Sequence, residues 1–577
     1  VQPEPAPTET PDAHGAHPRL SDAQIQALAE RGERRPTRVG EVLYREGEAL
    51  DDFIVVLAGL VAMVDDTSGD ARPVAAHGPG RFLGELSLLT GQPAFLGAMV
   101  VQAGEVLVTP VDRLRALVAE DPPLGDLIVS SYLLRRSLLI ELGAGLRIIG
   151  SRYSPDCRGL RQFMIRNRIP HRWIDLERDP EAETLLRRLG VTPEETPVVL
   201  LGGARVLRNP SPAELAAAVG LRHDATQQID CDLLVVGAGP GGLAASVYGA
   251  SEGLETVVVD AVAAGGQAAT SSRIENYLGF PTGVSGGDLA ERAVIQAERF
   301  GARLTVPARA TALEERDGHH LLRFHDGTAV SARTVVIATG AEYRRLALPR
   351  LEEFEGISVH YAATPVEAQT CAGDPVAVVG GGNSAGQAAV FLARRAGSVT
   401  MVVRAPDLDE SMSRYLVDRI ERTPNIEVMR CCGARELVGD DGVLEAVVVE
   451  NNETGARRTI PARALFVFIG AEPRVGWLAD QLALDDKGFI LTGADAADGT
   501  APGHDGRRRM LETSRRGVFA VGDVRSGSIK RVASAVGEGA IAVRLVHDHL
   551  YDTAQSHDSS SAPAPRSVTS GAPSAEA

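Results

Sequence analysis

"CDLLVVGAGPGGLAASVYGASEGLETVVVD" (residues 231–260) decides how the chain is read. An apolar run, "LLVVGAG", passes into Gly237-x-Gly239-x-x-Gly242 and then into a small-residue helical pattern. A second run, "TVVVD", ends in an acid, Asp260. Apolar runs of this kind, separated by a helix, predict strands of a parallel sheet in an α/β domain. Each glycine has its own steric reason. Gly237 permits a tight turn, Gly239 lets backbone approach a pyrophosphate, and Gly242 allows the helix to pack closely. Ala238, Pro240 and Gly241 complete the loop, whose helix N-terminus favours an anion, and Asp260 is placed to bind ribose hydroxyls.

The same physics recurs in "VAVVGGGNSAGQAAVFLARRAGSVTMVVRA" (residues 376–405). Gly380-x-Gly382-x-x-Ala385 follows an apolar run and opens a helix, with Asn383 and Ser384 in its first turn, so a second dinucleotide is expected there. The next strand ends at Arg404 with no acid, which favours a ribose 2′-phosphate and hence NADPH, with NADH as the alternative. This second α/β domain interrupts the first, between hinges near Glu342 and Gly470.

Four further stretches narrow the choice: "GGQ" (265–267), "IENYLGFP" (274–281), "VVIATGAE" (335–342) and "GVFAVGDVRSGSIKRVASAVGEGA" (517–540). Together with the two glycine motifs they resemble low-molecular-weight thioredoxin reductases, over roughly residues 231–549. The resemblance implies FAD at the first motif, with Gly265, Gly266, Gln267, Asn276, Thr339 and Gly340 near it. It also implies a ribityl contact from Gly522-Asp523, and Arg531 and Val532 over the pyrimidine end. The nicotinamide cofactor would take Gly380, Gly382, Asn383, Ser384, Ala385, Arg404 and Gly470. That family usually has two adjacent arginines where this chain has Arg404 and Ala405, so Arg414 is the expected second cation. The relatives are commonly homodimers, and a homodimer is expected.

In that family a C-x-x-C pair lies about ten residues before the strand that leads into the second glycine motif. Here the place reads Ala363, Thr364, Pro365, Val366, and none of the five cysteines forms a C-x-x-C. Cys371 is alone, and Cys431 and Cys432 are neighbours on an expected strand, facing opposite ways. Hydride can pass from nicotinamide to flavin without a protein acid or base, because the cofactors carry that chemistry. The expected function is therefore a thioredoxin reductase-like flavoprotein that moves hydride from NADPH to FAD and on to another acceptor. A quinone-like small molecule, oxygen or a ferredoxin-like carrier are the candidates. Two alternatives stay open: a disulfide reductase of thiol proteins working through Cys157 or partner thiols, and a redox or ligand sensor with little turnover.

Two further modules precede this machinery. Residues 20–145 read as a β-roll flanked by helices, the first capped by Ser21. "FLGELSLLTGQPAFLGAMVV" (82–101) resembles cyclic-nucleotide-binding domains, through Gly84, Glu85 and Leu86. That resemblance implies a phosphate-binding arginine nine or ten residues on, where Ala94 and Phe95 stand. A buried anion without it loses about 1.5–3 kcal/mol, so tight cyclic-nucleotide binding is not expected. Residues 146–226 read strand, helix, strand, helix, strand, strand, helix, and resemble a glutaredoxin or thioredoxin domain. Its redox motif reads Ser154, Pro155, Asp156, Cys157. Cys157 is either a single thiol forming mixed disulfides or an incidental thiol in a docking domain, and the second is preferred.

The expected division is 1–19 and 553–577 as disordered tails, 227–343 and 473–552 as the two parts of the FAD domain, and 344–472 as the NAD(P)H domain. Length alone implies about three to five domains for 577 residues. A net charge of −17 argues against nucleic acid or an anionic membrane as partner. No apolar run reaches about 18 residues and the start is not signal-like, which points to the cytoplasm. No metal site is expected.

Overall fold

The computed structural model describes residues 8–12, 15–65, 72–85, 91–179, 182–202, 205–221, 229–271, 273–363, 365–440, 442–478, 480–496 and 508–561. Leu86 and Thr364, both singled out above, lie outside them, as does the expected boundary at residues 226–227.

The first sheet is antiparallel, in the order Glu33–Thr37, Gly97–Pro110, Asp52–Asp65, Arg72–His77. Ser21 caps the helix Asp22–Ala29 with a capping box, as its position before an amphipathic run predicts. The expected tail is packed for part of its length. The Thr10 amide donates to Ala76 O at 3.0 Å, Glu9 pairs with Arg19 and Arg81, and Ala16 and His17 are buried. A polar, Pro-rich segment ordered by pairing with a sheet edge carries no apolar signature, which is why composition misplaced it.

The helix Pro122–Leu142 leads out of this sheet with Leu124, Ile128, Tyr132, Arg135, Arg136 and Leu139 all buried. A second sheet follows, ordered Arg205–Arg208, Val198–Leu201, Leu146–Gly150, His171–Asp175. Its first two strands in sequence are parallel and the others antiparallel. The helices Pro155–Arg166, Ala182–Arg188 and Pro212–Ala218 lie between and after these strands. One hydrophobic cluster joins the first two modules. Phe95 and Leu96 are buried with Leu146, Ile148, Phe163 and Met164.

The third sheet has Ile229–Val236 parallel to Thr256–Val259 on one side and to Ala329–Ile337 on the other. Val518–Ala520, from far along the chain, pairs with Ala329–Ile337. Between these pieces the chain leaves through Ala341–Tyr343 and returns through Ala471–Pro473, an antiparallel ribbon with Glu342 opposite Glu472. The inserted part is a parallel sheet of Val359–His360, Ala464–Val467, Pro375–Val379, Ser398–Val402 and Ile426–Met429, beside a three-stranded antiparallel layer from Cys432 to Pro461. The last helix, Val532–Ser561, extends past residue 552 into the expected tail. Among the described residues no helix is long and apolar enough to cross a membrane.

Candidate functional site

At the end of Ile229–Val236 the backbone turns at Gly237, whose φ is +106°. A Cβ there would lie 2.3 Å from Ala338 O, and one on Gly242 would lie 1.8 Å from Gly237 O. No other residue fits either position, so the helix Pro240–Ser251 starts hard against the strand end. Gly239 is its N-cap and offers no side chain to block the amides. A loop closes over this turn: the Gly265 amide donates to Ala238 O at 2.7 Å, and a Cβ on Gly266 would meet Gly239 Cα at 2.9 Å. Asp260 accepts from the amides of Ala238 (2.9 Å), Val262 (2.8 Å) and Ala263 (3.0 Å). Burial raises its carboxyl pKa against the pull of those amides. Gly241 packs against the last helix, where a Cβ would come within 3.1 Å of Ala535 O. Val532 opens that helix, and Arg531, exposed, precedes it.

Thr339 and Gly340 follow Ile337, and the turn Gly522–Val524 follows its strand partner Ala520, with Gln267 bonded just beyond at Ala341. Gln267 Nε2 donates to Ala341 O at 3.3 Å, while Gln267 Oε1 and Thr339 Oγ1 are buried without a partner. Gly522 donates its amide to Glu538 at 2.7 Å, and burial raises the Asp523 carboxyl. Orphaned polar atoms and a glycine-lined floor between two acidic ends fit a bound dinucleotide. Asn276 is exposed in the loop closed by the Ile274–Val284 bridge, next to Glu275, which pairs with Arg419 of the inserted domain at 2.9 Å.

The second glycine motif repeats the first turn. Gly380 has φ +141°, and a Cβ on it would meet Phe468 O at 2.3 Å. Gly382 caps Asn383–Leu392, Ala385 is buried and Ser384 exposed. A neighbouring loop is tied across it: Ser413 N donates to Asn383 Oδ1 at 2.7 Å and Ser411 Oγ to Gly381 O at 3.0 Å. Arg404 is exposed and has no ion pair among the described residues. Arg414 is instead held by Asp409 (3.1 Å) and Asp418 (2.8 Å), with Asp409 the main cause of its raised pKa. Gly470 lies at the hinge ribbon, its carbonyl accepting from Arg344 at 2.9 Å, and not in the glycine turn.

All five cysteines are free thiols. Cys157 lies beneath Gly150 and Pro197, fully buried, and burial pushes its pKa up. Cys371 ends the helix region Pro365–Thr370, back-bonded to Glu367 O, with its pKa raised to about 11. Cys231 is raised to about 12, again by burial. Cys431 is not on a strand. It has φ +54° in the turn before Cys432–Asp440, and its thiol donates to Glu453 at 3.3 Å. The local alternation that suggested a strand stops one residue short.

In the first module Glu85 is buried and paired with Arg135 at 2.6 Å, and Ala94 and Phe95 are buried. Sequence reading missed Arg135, as it missed Glu538, Lys530 and Tyr343 around the groove. Glu538 alone had a local signal, as an acid within the small-residue run "GEGA".

A family model described as Pyridine nucleotide-disulphide oxidoreductase matches residues 231–539, and one described as Cyclic nucleotide-binding domain matches residues 34–121. The chain is 33% identical over 329 residues to a thioredoxin reductase of Treponema pallidum (strain Nichols), covering 57% of this chain and 99% of that protein. It is 31% identical over 319 residues to a 34.2 kDa protein in a rubredoxin operon of Clostridium pasteurianum, covering 55% and 97%. Among solved structures, the thioredoxin reductase of Lactococcus lactis in its FR conformation superposes with a TM-score of 0.51 at 27% identity, covering 56% of this chain and 99% of that one. That of T. acidophilum gives 0.51 at 28%, covering 56% and 100%.

Proposed function

The chain belongs to the pyridine nucleotide-disulphide oxidoreductases, with an added N-terminal cyclic nucleotide-binding domain, and from that premise we propose that it oxidises NADPH and passes the electrons to an acceptor without an internal dithiol. It is an FAD- and NAD(P)H-dependent oxidoreductase of the thioredoxin reductase family. When bound, FAD supplies hydride acceptance and release of electrons in steps of one or two. Gly237, Gly239 and Gly242 hold its pyrophosphate, Asp260 its adenosine ribose, and Asp523 its ribityl chain. Gly380 and Gly382 seat the nicotinamide dinucleotide, and Arg404 takes the 2′-phosphate.

The observation that carries the reading is the distribution of thiols. No two of the five cysteines have the C-x-x-C spacing, and four of them are buried. A thiolate is the nucleophile in disulfide exchange, and burial of Cys157, Cys231 and Cys371 opposes it. Electrons therefore leave from the flavin to a quinone-like molecule, oxygen or a ferredoxin-like carrier. Sheet order and element order of residues 146–221 support a thioredoxin-like fold for the second module, used for docking. Buried Ala94 and Phe95, where the resemblance implies a phosphate-binding arginine, support a first module that binds no cyclic nucleotide tightly. The test is an anaerobic NADPH titration of the FAD-loaded enzyme. Uptake of two electrons per flavin supports the reading, and uptake of four overturns it.

A further inference from the structure

The loop after the helix Pro155–Arg166 is seated on the FAD-binding segment. Asn167 Nδ2 donates to Val262 O at 3.0 Å, two residues beyond Asp260. Arg168 pairs with Asp288 at 3.1 Å and Glu291 at 3.0 Å, both on the helix Gly286–Arg299. From behind, Arg136 donates to Arg168 O at 2.9 Å and Asn167 O at 3.2 Å, and reaches Glu291 at 3.2 Å. The Tyr132 hydroxyl also binds Glu291. A carboxylate shared by two guanidiniums and a phenol ties this loop to the helix and is costly to break from one side. The place of Arg166, one residue earlier, is thus set by its neighbours.

Arg166 is partly buried and has no hydrogen bond or ion pair among the described residues. Burial is the main influence on its guanidinium, and the groups whose charge it feels are Asp260, Arg474, Tyr343 and Glu342. Tyr343 in turn feels Asp523. With Asn167 bonded to Val262, two residues past Asp260, Arg166 lies beside the ribose end of the first glycine motif. A dinucleotide carries its two phosphate charges along that motif, and an unpaired, partly desolvated guanidinium suits them.

We propose that Arg166, delivered by the second N-terminal module, is a ligand of the FAD pyrophosphate, so that this module helps to hold the flavin. The inference rests on FAD occupying the first glycine motif and is independent of the electron acceptor. The family model matches residues 231–539 and does not reach Arg166, so the contact is an addition to the shared cofactor site.

The test uses the full chain stripped of flavin and titrated with FAD, followed by flavin fluorescence at low and moderate salt. Arg166→Gln is expected to bind FAD about 10- to 100-fold more weakly, the range for losing a charge-assisted hydrogen bond, with a shallower salt dependence. Arg166→Lys should recover part of the loss, and Arg172→Gln, an exposed charge on the next strand, should bind as wild type. Circular dichroism of each variant separates weak binding from misfolding. FAD affinity unchanged in folded Arg166→Gln overturns the inference alone. If wild-type protein takes up no FAD at this groove, the functional reading fails first.

Discussion

Arg135 reaches Glu85 Oε1 at 2.6 Å with both side chains buried, so one oxygen of the acid in the Gly84-Glu85 turn is held from within the chain. Arg135 also donates to Ala16 O at 2.7 Å and Phe82 O at 3.0 Å, and lies over the Phe82 ring. Calorimetric titration with cyclic AMP and cyclic GMP should give no saturable binding at micromolar ligand.

Breaking this pair from one side should be costly. Arg135→Met leaves Glu85 buried without its cation and is expected to destabilise the first module by about 3–5 kcal/mol. Glu85→Gln combined with Arg135→Met should recover much of that. Denaturant midpoints of the full chain report both, and equal loss in single and double variants contradicts the pairing.

Phe95 occupies the place of the family's phosphate arginine, yet it is part of the hydrophobic cluster with Met164 and Ile148. Phe95→Ala should cost about 3–5 kcal/mol. Phe95→Arg should not create nucleotide binding, and should instead lower the melting temperature of the first two modules together. Separate melting of the two would contradict a shared core.

Arg404 and Arg414 should contribute unequally to cofactor choice. Arg404→Ala removes an unpaired cation and is expected to raise the KM for NADPH about tenfold, with that for NADH little changed. Arg414→Ala should matter less, because Asp409 and Asp418 already hold that side chain. Initial rates with ferricyanide as acceptor measure the difference.

Acid should remove the stability that two buried neutral histidines supply. His17 and His320 are both depressed to about 4, each chiefly by burial. The unfolded chain binds these protons near pH 6.5 and the folded chain does not, so the stability is present above that pH and is lost as pH falls towards 4. Each contributes on the order of 2–3 kcal/mol across that window. Denaturant midpoints at pH 7 and pH 4.5 check this, and replacing His320 with Gln should flatten the slope.

The parts of the site legible in the sequence are those where backbone geometry dictates residue type. Gly237, Gly242 and Gly380 could be read because a Cβ at each would collide with backbone, and the acid at Asp260 because it closes a strand of fixed length. The topology of the inserted domain followed from where the second glycine turn falls. What could not be read are pairings between distant positions. Arg135 and Glu85 lie 50 residues apart, and Arg136 and Glu291 further still, with no local pattern linking them. Residues 8–12 were misjudged for the same reason: Glu9 is ordered by Arg19 and Arg81, not by apolar burial. Arg414 looked available in sequence because its two acidic partners, Asp409 and Asp418, are unremarkable neighbours until the helix Arg414–Glu421 places them.

The central claim is that electrons leave this enzyme from the flavin and not from a protein dithiol. Anaerobic titration of the FAD-loaded chain with NADPH, followed by flavin absorbance, tests it most directly. The account predicts complete bleaching at one NADPH per flavin, unchanged when Cys157 and Cys371 are replaced by serine. Consumption of two NADPH per flavin, falling to one in either variant, would contradict it.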